Sequence, residues 1–119
     1  METIKAKLKE YLAMDEELGF GEFNDYYNSI MAELNDHYQS YDENTLLEMK
    51  YVLSTVAVNA QAWASRKDKN AKKYRKIEEK SRFWADAISY KLKHDLGYTT
   101  ETLNEADERI DAEMRPQEN

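Results

Sequence analysis

The segment from Thr45 to Leu96 opens with TLLEMKYVLSTVAVNAQAW, residues 45–63, and the spacing of its apolar residues predicts a helix. The apolar positions recur in alternating steps of three and four residues: Leu46, Met49, Leu53, Val56, Ala60 and Trp63. Such steps place one apolar stripe along a helix, whereas a strand would require strict alternation. Thr45 and Glu48 have the spacing of a capping box, so the helix is expected to begin at Thr45.

The same count continues into the second half of the segment, and two helical arrangements are compatible with it. The stripe passes through the polar residues Lys67 and Asn70 and then meets Tyr74, Ile77, Ser81, Trp84, Ile88 and Lys91. One arrangement is an unbroken helix of about fifty residues, roughly 75 Å long. The other is an antiparallel helical hairpin that turns near residues 68–70, with Asn70 as a left-handed residue. We favour the hairpin, because a monomer of this size would have difficulty covering so long a helix.

Two helices are expected before this segment. Ile4, Leu8 and Leu12 form a stripe that predicts a first helix over residues 3–18, followed by Gly19 as a left-handed stop. A second helix is expected over residues 22–41, with an apolar face that is rich in tyrosine. That face consists of Phe23, Tyr27, Ile30, Leu34, Tyr38 and Tyr41.

After the segment, Gly97 is expected to end the central hairpin, and Thr102 with Glu105 has the spacing of a second capping box. The sequence therefore predicts an all-α fold of four to five helices around a central antiparallel helical hairpin, or around one long helix. We expect a single helical domain over residues 1–119, with a frayed tail at 115–119.

Composition narrows the class of protein. The chain has 119 residues and no cysteine, which suits one domain in a reducing compartment. No apolar run approaches the eighteen or so residues of a membrane span. We expect a protein that is cytoplasmic and does not bind membranes.

The net charge of −7 conceals a strong asymmetry along the chain. Residues 1–60 carry four Lys or Arg against twelve Asp or Glu, residues 61–96 carry eleven against five, and residues 97–119 carry two against seven. A basic band thus lies between two acidic ends. The ends could repel a polyanion, neutralise the band, or present an acidic surface to a basic partner.

The basic band is the first candidate for a functional surface. Its basic side chains could contact phosphates, and an exposed ring could stack on an unpaired base. The candidate nucleic-acid-binding residues are Arg66, Lys69, Lys72, Lys73, Tyr74, Arg75 and Lys76, with Tyr74 as the stacking ring. Trp63 and Trp84 fall on the apolar stripe and are expected in the core. The alternative is a solvated hairpin tip without a ligand.

Motifs of catalysis and metal binding give no comparable signal. The sequence has no cysteine nucleophile and no Gly-rich phosphate loop, and Glu33 with His37 provides only two potential metal ligands on one helix. We expect a protein that is not an enzyme and has no cofactor and no metal site.

The stretch from Trp63 to Lys76, together with Phe83-Trp84 and Leu96-Gly97-Tyr98, resembles the small helical recombination mediators of phages, the UvsY type. The resemblance covers the C-terminal half. It implies a non-enzymatic protein of phage or mobile-element DNA metabolism, possible homo-oligomers, and binding of single-stranded DNA or of a DNA-processing protein. The corresponding location is the cytoplasm of a bacterial host cell.

The acidic N-terminal half favours a different function. As a small acidic helical protein, the chain also resembles phage-encoded inhibitors of the anti-CRISPR and anti-restriction type. Some of these inhibitors present carboxylates where a nuclease binds phosphates. The candidate acidic surface comprises Glu22, Asp25, Glu33, Asp36, Asp42, Glu43 and Glu48. A structural subunit that associates through its tyrosine-rich helix is a third hypothesis.

Overall fold

The computed structural model describes residues 1–115, and it contains five α-helices and one short 3-10 helix in these residues. They are α1 (Glu2–Leu12), α2 (Phe20–His37), the 3-10 helix (Tyr38–Ser40), α3 (Glu43–Ala64), α4 (Ala71–Leu96) and α5 (Thr100–Met114). No strand occurs in this part of the chain. The predicted all-α fold is confirmed. The predicted frayed tail lies outside the described residues, except for Arg115.

α3 and α4 form the central hairpin, and they make the most extensive contact between any two elements. A connection of six residues, 65–70, separates them, so the single long helix is not formed. The left-handed residue of the connection is Lys67, with φ of 55°, and not Asn70, whose φ is −100°. Asn70 instead precedes α4 as its N-cap residue. The predicted position of the turn is therefore confirmed, but the prediction of Asn70 as its left-handed residue was wrong.

The predicted end of the first helix was wrong by six residues. α1 ends at Leu12, and Gly19 is the extended N-cap residue of α2, with φ of −66° and ψ of 159°. Asp15, Glu16 and Glu17 explain the early end, because three carboxylates are unfavourable beside the negative end of a helix dipole. α2 accordingly starts two residues before the predicted Glu22.

Both predicted capping boxes are replaced by caps that lie three residues earlier. α3 is capped by Asp42, whose Oδ1 accepts a hydrogen bond of 2.8 Å from the amide of Thr45. Thr99 caps α5 through a reciprocal box with Thr102, with distances of 2.8 and 3.1 Å. Gly97 ends α4 in the left-handed conformation, as predicted, with φ of 74°.

The N-terminal half of α3 lies at the centre of the core. Every residue from Leu46 to Leu53 except the half-buried Glu48 is buried, so this half of α3 is covered all round. In the C-terminal half the buried residues return to a single stripe: Val56, Ala57, Ala60 and Ala64. The other helices therefore have to cover the first half of α3 on every side.

Polar contacts fix the covering helices to the N-terminal half of α3. Lys50 forms an ion pair of 2.7 Å with Asp107 of α5, and the Tyr51 hydroxyl donates a hydrogen bond of 2.6 Å to Asp111. On the side facing α1, Glu48 accepts a hydrogen bond of 2.5 Å from Lys5. These contacts determine the register of α1 and α5 against α3.

Replacing Asp107 by Ala should destabilise the protein by about 1–3 kcal/mol, because the buried ammonium of Lys50 loses its partner. Lys50→Met should cost less, since it removes the buried charge itself and leaves Asp107 near solvent. Urea unfolding followed by circular dichroism measures both. Glu105→Ala, at an exposed position of the same helix, is the matched control. An equal loss in Asp107→Ala and Glu105→Ala would contradict this role of the pair.

Stability should fall as the pH rises from 10 towards 12. Burial and the hydrogen bond to Asp111 raise the pKa of Tyr51 to about 12, and burial also raises the pKa of Tyr26. The pKa of tyrosine in an unfolded chain is about 10. A raised pKa in the folded protein contributes its full stabilisation below this pH, and the stabilisation is lost progressively as the pH rises through the folded pKa.

Thermal unfolding at pH 8, 10 and 11.5 tests this expectation. Tyr51→Phe should flatten the alkaline decline relative to the unchanged protein, because it removes one ionisation that opposes folding. Tyr90→Phe changes an exposed ring and should leave the decline as it is. A decline that is the same in all three proteins would show that Tyr51 does not contribute.

Candidate nucleic-acid interface

The basic side chains of the predicted surface all lie exposed on the connection 65–70 and on the first half of α4. They are Arg66, Lys69, Lys72, Lys73, Arg75 and Lys76. The connection is ordered locally by Asp68, whose side chain accepts a hydrogen bond of 2.8 Å from the amide of Asn70. The structure thus places these six cations close together along the chain, at the start of α4.

Arg66 differs from the other five because it is already paired. Its guanidinium forms a bidentate pair with Glu17 of the connection between α1 and α2, with 2.7 Å from Nη1 to Oε2. The hydrogen bonds from Arg66 lower the pKa of Glu17. Both side chains are more than half exposed, so a phosphate could compete with Glu17 for this arginine.

Tyr74 was wrongly predicted as an exposed stacking ring. Its side chain is buried, and its ring packs 5.1 Å from that of Phe20 and 5.6 Å from that of Trp63, measured between centroids. Burial also raises the pKa of the Tyr74 hydroxyl. The position follows from the apolar stripe, since Tyr74 lies three residues before Ile77 on the buried face of α4. Tyr74 therefore packs beneath the exposed cations and presents no exposed ring.

The two tryptophans, expected in the core, lie at its edge and are half-buried. Trp63 packs edge-on against Phe23 at 4.8 Å, and Trp84 packs against Tyr38 at 5.2 Å. Trp84 also lines a groove beside Tyr38.

This groove runs between α2 and α4 and was not predicted. It has two adjoining parts, of about 280 and 550 Å³, which share Tyr27. α2 contributes rings and amides to its lining: Phe20, Asn24, Tyr27, Asn28 and Asn35. The 3-10 helix adds Tyr38 and Gln39. α4 contributes Lys73, Lys76, Lys80 and Trp84. We call it the α2–α4 groove.

The α2–α4 groove has a distinctive charge. Three lysines line it, and no carboxylate of residues 1–115 does. A fourth lysine, Lys91, lies beside it, with its ammonium 5.2 Å from the ring centroid of Tyr38. The ammonium of Lys73 similarly lies 5.4 Å from the ring centroid of Phe20. The groove therefore combines positive charge with aromatic surface and amide groups.

A sequence signal for the groove exists but is subtle. Asn24, Asn28, Met31, Asn35 and Tyr38 recur in steps of four, three, four and three, which defines a second stripe on α2 beside the apolar one. Polar amides on such a stripe are usually solvated. Only the position of α4 against α2 shows that this stripe faces lysines.

The outer face of α4 carries two further exposed rings. Phe83 and Tyr90 are 66% and 67% exposed, and the Tyr90 ring stacks on that of His94 at 5.4 Å. Both rings lie on the same side of the helix as Lys72 and Lys76, by the helical periodicity. Exposed rings therefore do accompany the basic band, at positions other than Tyr74.

The predicted acidic surface does not form one continuous patch. Glu33 accepts a hydrogen bond from the Tyr41 hydroxyl at 2.6 Å, Glu48 binds Lys5, and Asp42 caps α3. Glu22, Asp25 and Asp36 share one exposed face of α2, and Glu43 lies at the start of α3. Glu22, Asp25, Asp36 and Glu43 therefore remain exposed, whereas Glu33, Asp42 and Glu48 have structural roles.

No group of three or more metal-ligating side chains comes together among the described residues 1–115. Within the same residues, none of the helices is sufficiently long and apolar to cross a membrane.

Comparison with known protein families, curated proteins and solved structures finds no match to this chain.

Tyr74→Ala should destabilise the protein by about 3–5 kcal/mol, because it empties a space among Phe20, Phe23 and Trp63. Tyr74→Phe keeps the ring and should cost less than about 1.5 kcal/mol. Tyr90→Ala removes an equally large but exposed ring and should change stability by about 0.5 kcal/mol or less. Urea unfolding measures all three, and a large loss in Tyr90→Ala would contradict this assignment of the two rings.

Proposed function

We propose that this chain is a non-catalytic protein that binds single-stranded nucleic acid in the α2–α4 groove. The observation that carries the proposal is the charge of that groove. A chain of net charge −7 would be expected to present carboxylates on most of its surface. Three lysines instead line this groove without a carboxylate of the described residues, beside rings and amides.

The lysines suit the phosphates of the ligand. Lys73, Lys76 and Lys80 are exposed and form no ion pair within residues 1–115. They recur in steps of three and four along α4, so their ammonium groups form a row parallel to the helix axis. Such a row can follow a phosphate backbone and release its counterions.

The rings and amides suit the bases. Tyr27 and Trp84 are half-buried in the walls of the groove, where their remaining open faces can stack on a base. Asn24, Asn28 and Asn35 each present a hydrogen-bond donor and an acceptor, which base edges can use. In a duplex, the faces of the bases are already stacked, so these contacts favour a single strand.

The neighbouring cations extend the surface beyond the groove. Lys69, Lys72 and Arg75 are exposed on the connection and the first turns of α4, and Phe83 and Tyr90 provide further rings on the outer face. A strand longer than the groove could therefore continue over the start of α4. An accessory role in phage or mobile-element DNA metabolism, which the sequence resemblance implies, is part of this proposal.

A second candidate function is inhibition of a nuclease through acidic side chains. Glu22, Asp25 and Asp36 support it, since they are exposed on one face of α2 without an ion-pair partner among residues 1–115. We favour nucleic-acid binding, because three of the seven acids considered are used within the fold.

Fluorescence anisotropy of a labelled oligonucleotide should show binding that weakens with salt, and a single strand should bind more tightly than the matching duplex. Lys76→Glu/Lys80→Glu should weaken single-strand binding at least about tenfold at low salt. The slope of log affinity against log salt should decrease in magnitude by about 1.4, since two phosphate contacts are lost. Trp84→Ala should weaken binding roughly fivefold or more, because one stacking ring is lost.

Lys7→Glu/Lys9→Glu is the matched control, because it makes the same change of charge at exposed positions of α1. It should weaken binding much less than the change on α4. Equal losses in the two double variants would show that only net charge matters and would contradict a groove. Absence of binding at low salt would contradict the proposal altogether and would favour the acidic surface of α2.

A further inference from the structure

A second concave site lies on the other side of α2, between α1, the connection 13–19 and α3. It is a cleft of about 230 Å³. Its lining shares no residue with the α2–α4 groove. We call it the α1–α3 cleft, and its chemistry is opposite to that of the groove.

Aromatic rings form the walls of the α1–α3 cleft. Tyr11 and Trp63 are half-buried, and each packs edge-on against a buried ring: Tyr11 against Tyr26 at 5.2 Å and Trp63 against Phe23 at 4.8 Å between centroids. The faces of such rings carry partial negative charge and attract cations.

Carboxylates form the rim of the cleft. They belong to Asp15, Glu16 and Glu17 of the connection between α1 and α2. Glu17 is paired with Arg66, whereas Asp15 and Glu16 have no ion-pair partner within residues 1–115. No Lys, Arg or His of the described residues lines the cleft. Asp15 and Glu16 therefore leave uncompensated negative charge on the rim, whereas the charge of Glu17 is compensated by Arg66.

The surrounding sequence strengthens this negative potential. Residues 10–49 contain no Lys or Arg against eleven Asp or Glu. Burial raises the pKa of Tyr11, and the nearby carboxylates of Glu22, Glu10 and Asp25 raise it further.

The other side of the same tyrosine pair shows which group suits these rings. There, a neighbouring depression is lined by Tyr11, Tyr26, Glu22, Asp25 and Lys7. The ammonium of Lys7 lies 5.9 Å from the ring centroid of Tyr11. The chain thus supplies its own alkylammonium group on one side of the pair, beside two carboxylates. On the cleft side, the rings and the carboxylates are present without the cation.

From this arrangement we propose that the α1–α3 cleft binds an alkylammonium group, with the aliphatic chain between the aromatic walls and the ammonium at Asp15 and Glu16. A lysine side chain of a partner protein and a free aliphatic amine both have this chemistry. The site is independent of the α2–α4 groove, since it uses other residues and the opposite charge.

Heteronuclear NMR of the full chain at pH 7 tests the proposal with pentylammonium and with Nα-acetyl-lysine N-methylamide as probes. Both should shift the indole signal of Trp63 and the amide signals of residues 15–18 in a saturable manner. The indole of Trp84 lies in the other groove and serves as the internal reference, and Trp84→Phe assigns the two indole signals. Tighter binding of the lysine derivative would identify a protein as the source, and tighter binding of pentylammonium a small amine.

Asp15→Asn/Glu16→Gln should weaken the binding of both probes about fivefold, because two ionic contacts of an exposed rim are lost. Glu101→Gln/Glu105→Gln removes two exposed carboxylates from α5 and should leave the affinity unchanged. Pentanol has the same chain without the charge. Shifts of equal size with pentanol, an equal effect of both double variants, or no saturable shift with either ammonium probe would each overturn the proposal.

Discussion

The fold depends on burial of the N-terminal half of α3. Because residues 46–53 are covered on nearly every side, no single neighbouring helix can shield them. α4 and α5 pack against α3, and α1 is joined to it through Lys5 and Glu48. Removing so much apolar surface from water is the main stabilising contribution in a chain that has no cysteine to form a disulfide. The C-terminal half of α3 buries a narrower stripe, and its Trp63 packs against Phe23 of α2.

The polar contacts of α3 give this apolar packing its specificity. Lys50 and Tyr51 contact carboxylates of α5, and Glu48 contacts Lys5 of α1, each at hydrogen-bond distance. A buried cation without a partner is costly, so alternative registers of α5 against α3 are disfavoured. Asp107 and Asp111 of α5 thus have roles within the fold.

α2 separates two regions of opposite charge. Its apolar face contacts the core through Phe23, Tyr26, Ile30 and Leu34. A second stripe of amides and rings faces the lysines of α4, and a third carries exposed carboxylates. Segregation of this kind lets one small domain present a cationic groove and an anionic cleft on two different faces of one helix. The two proposed ligands, a polyanion and an alkylammonium group, follow from this division.

The sequence by itself determined the helical class, the hairpin and the approximate site of its turn, because these depend on local periodicity and on the length of the segment. It also determined the basic band, which is contiguous along the chain. Helix ends were less predictable. Asp42 and Thr45 are both suitable caps for α3, as are Thr99 and Thr102 for α5, and the packing of each helix decides which residue caps it.

Only the tertiary structure decided which rings are accessible and which charges are free. Tyr74 and Phe83 are both aromatic residues within the basic region, yet one is buried and the other is 66% exposed. Glu33 and Glu48 are similarly bound to distant residues, Tyr41 and Lys5, that no local pattern pairs with them. Both candidate sites arise between helices that are separated in sequence. Their chemistry depends on packing, because packing brings together helix faces that are far apart in the sequence.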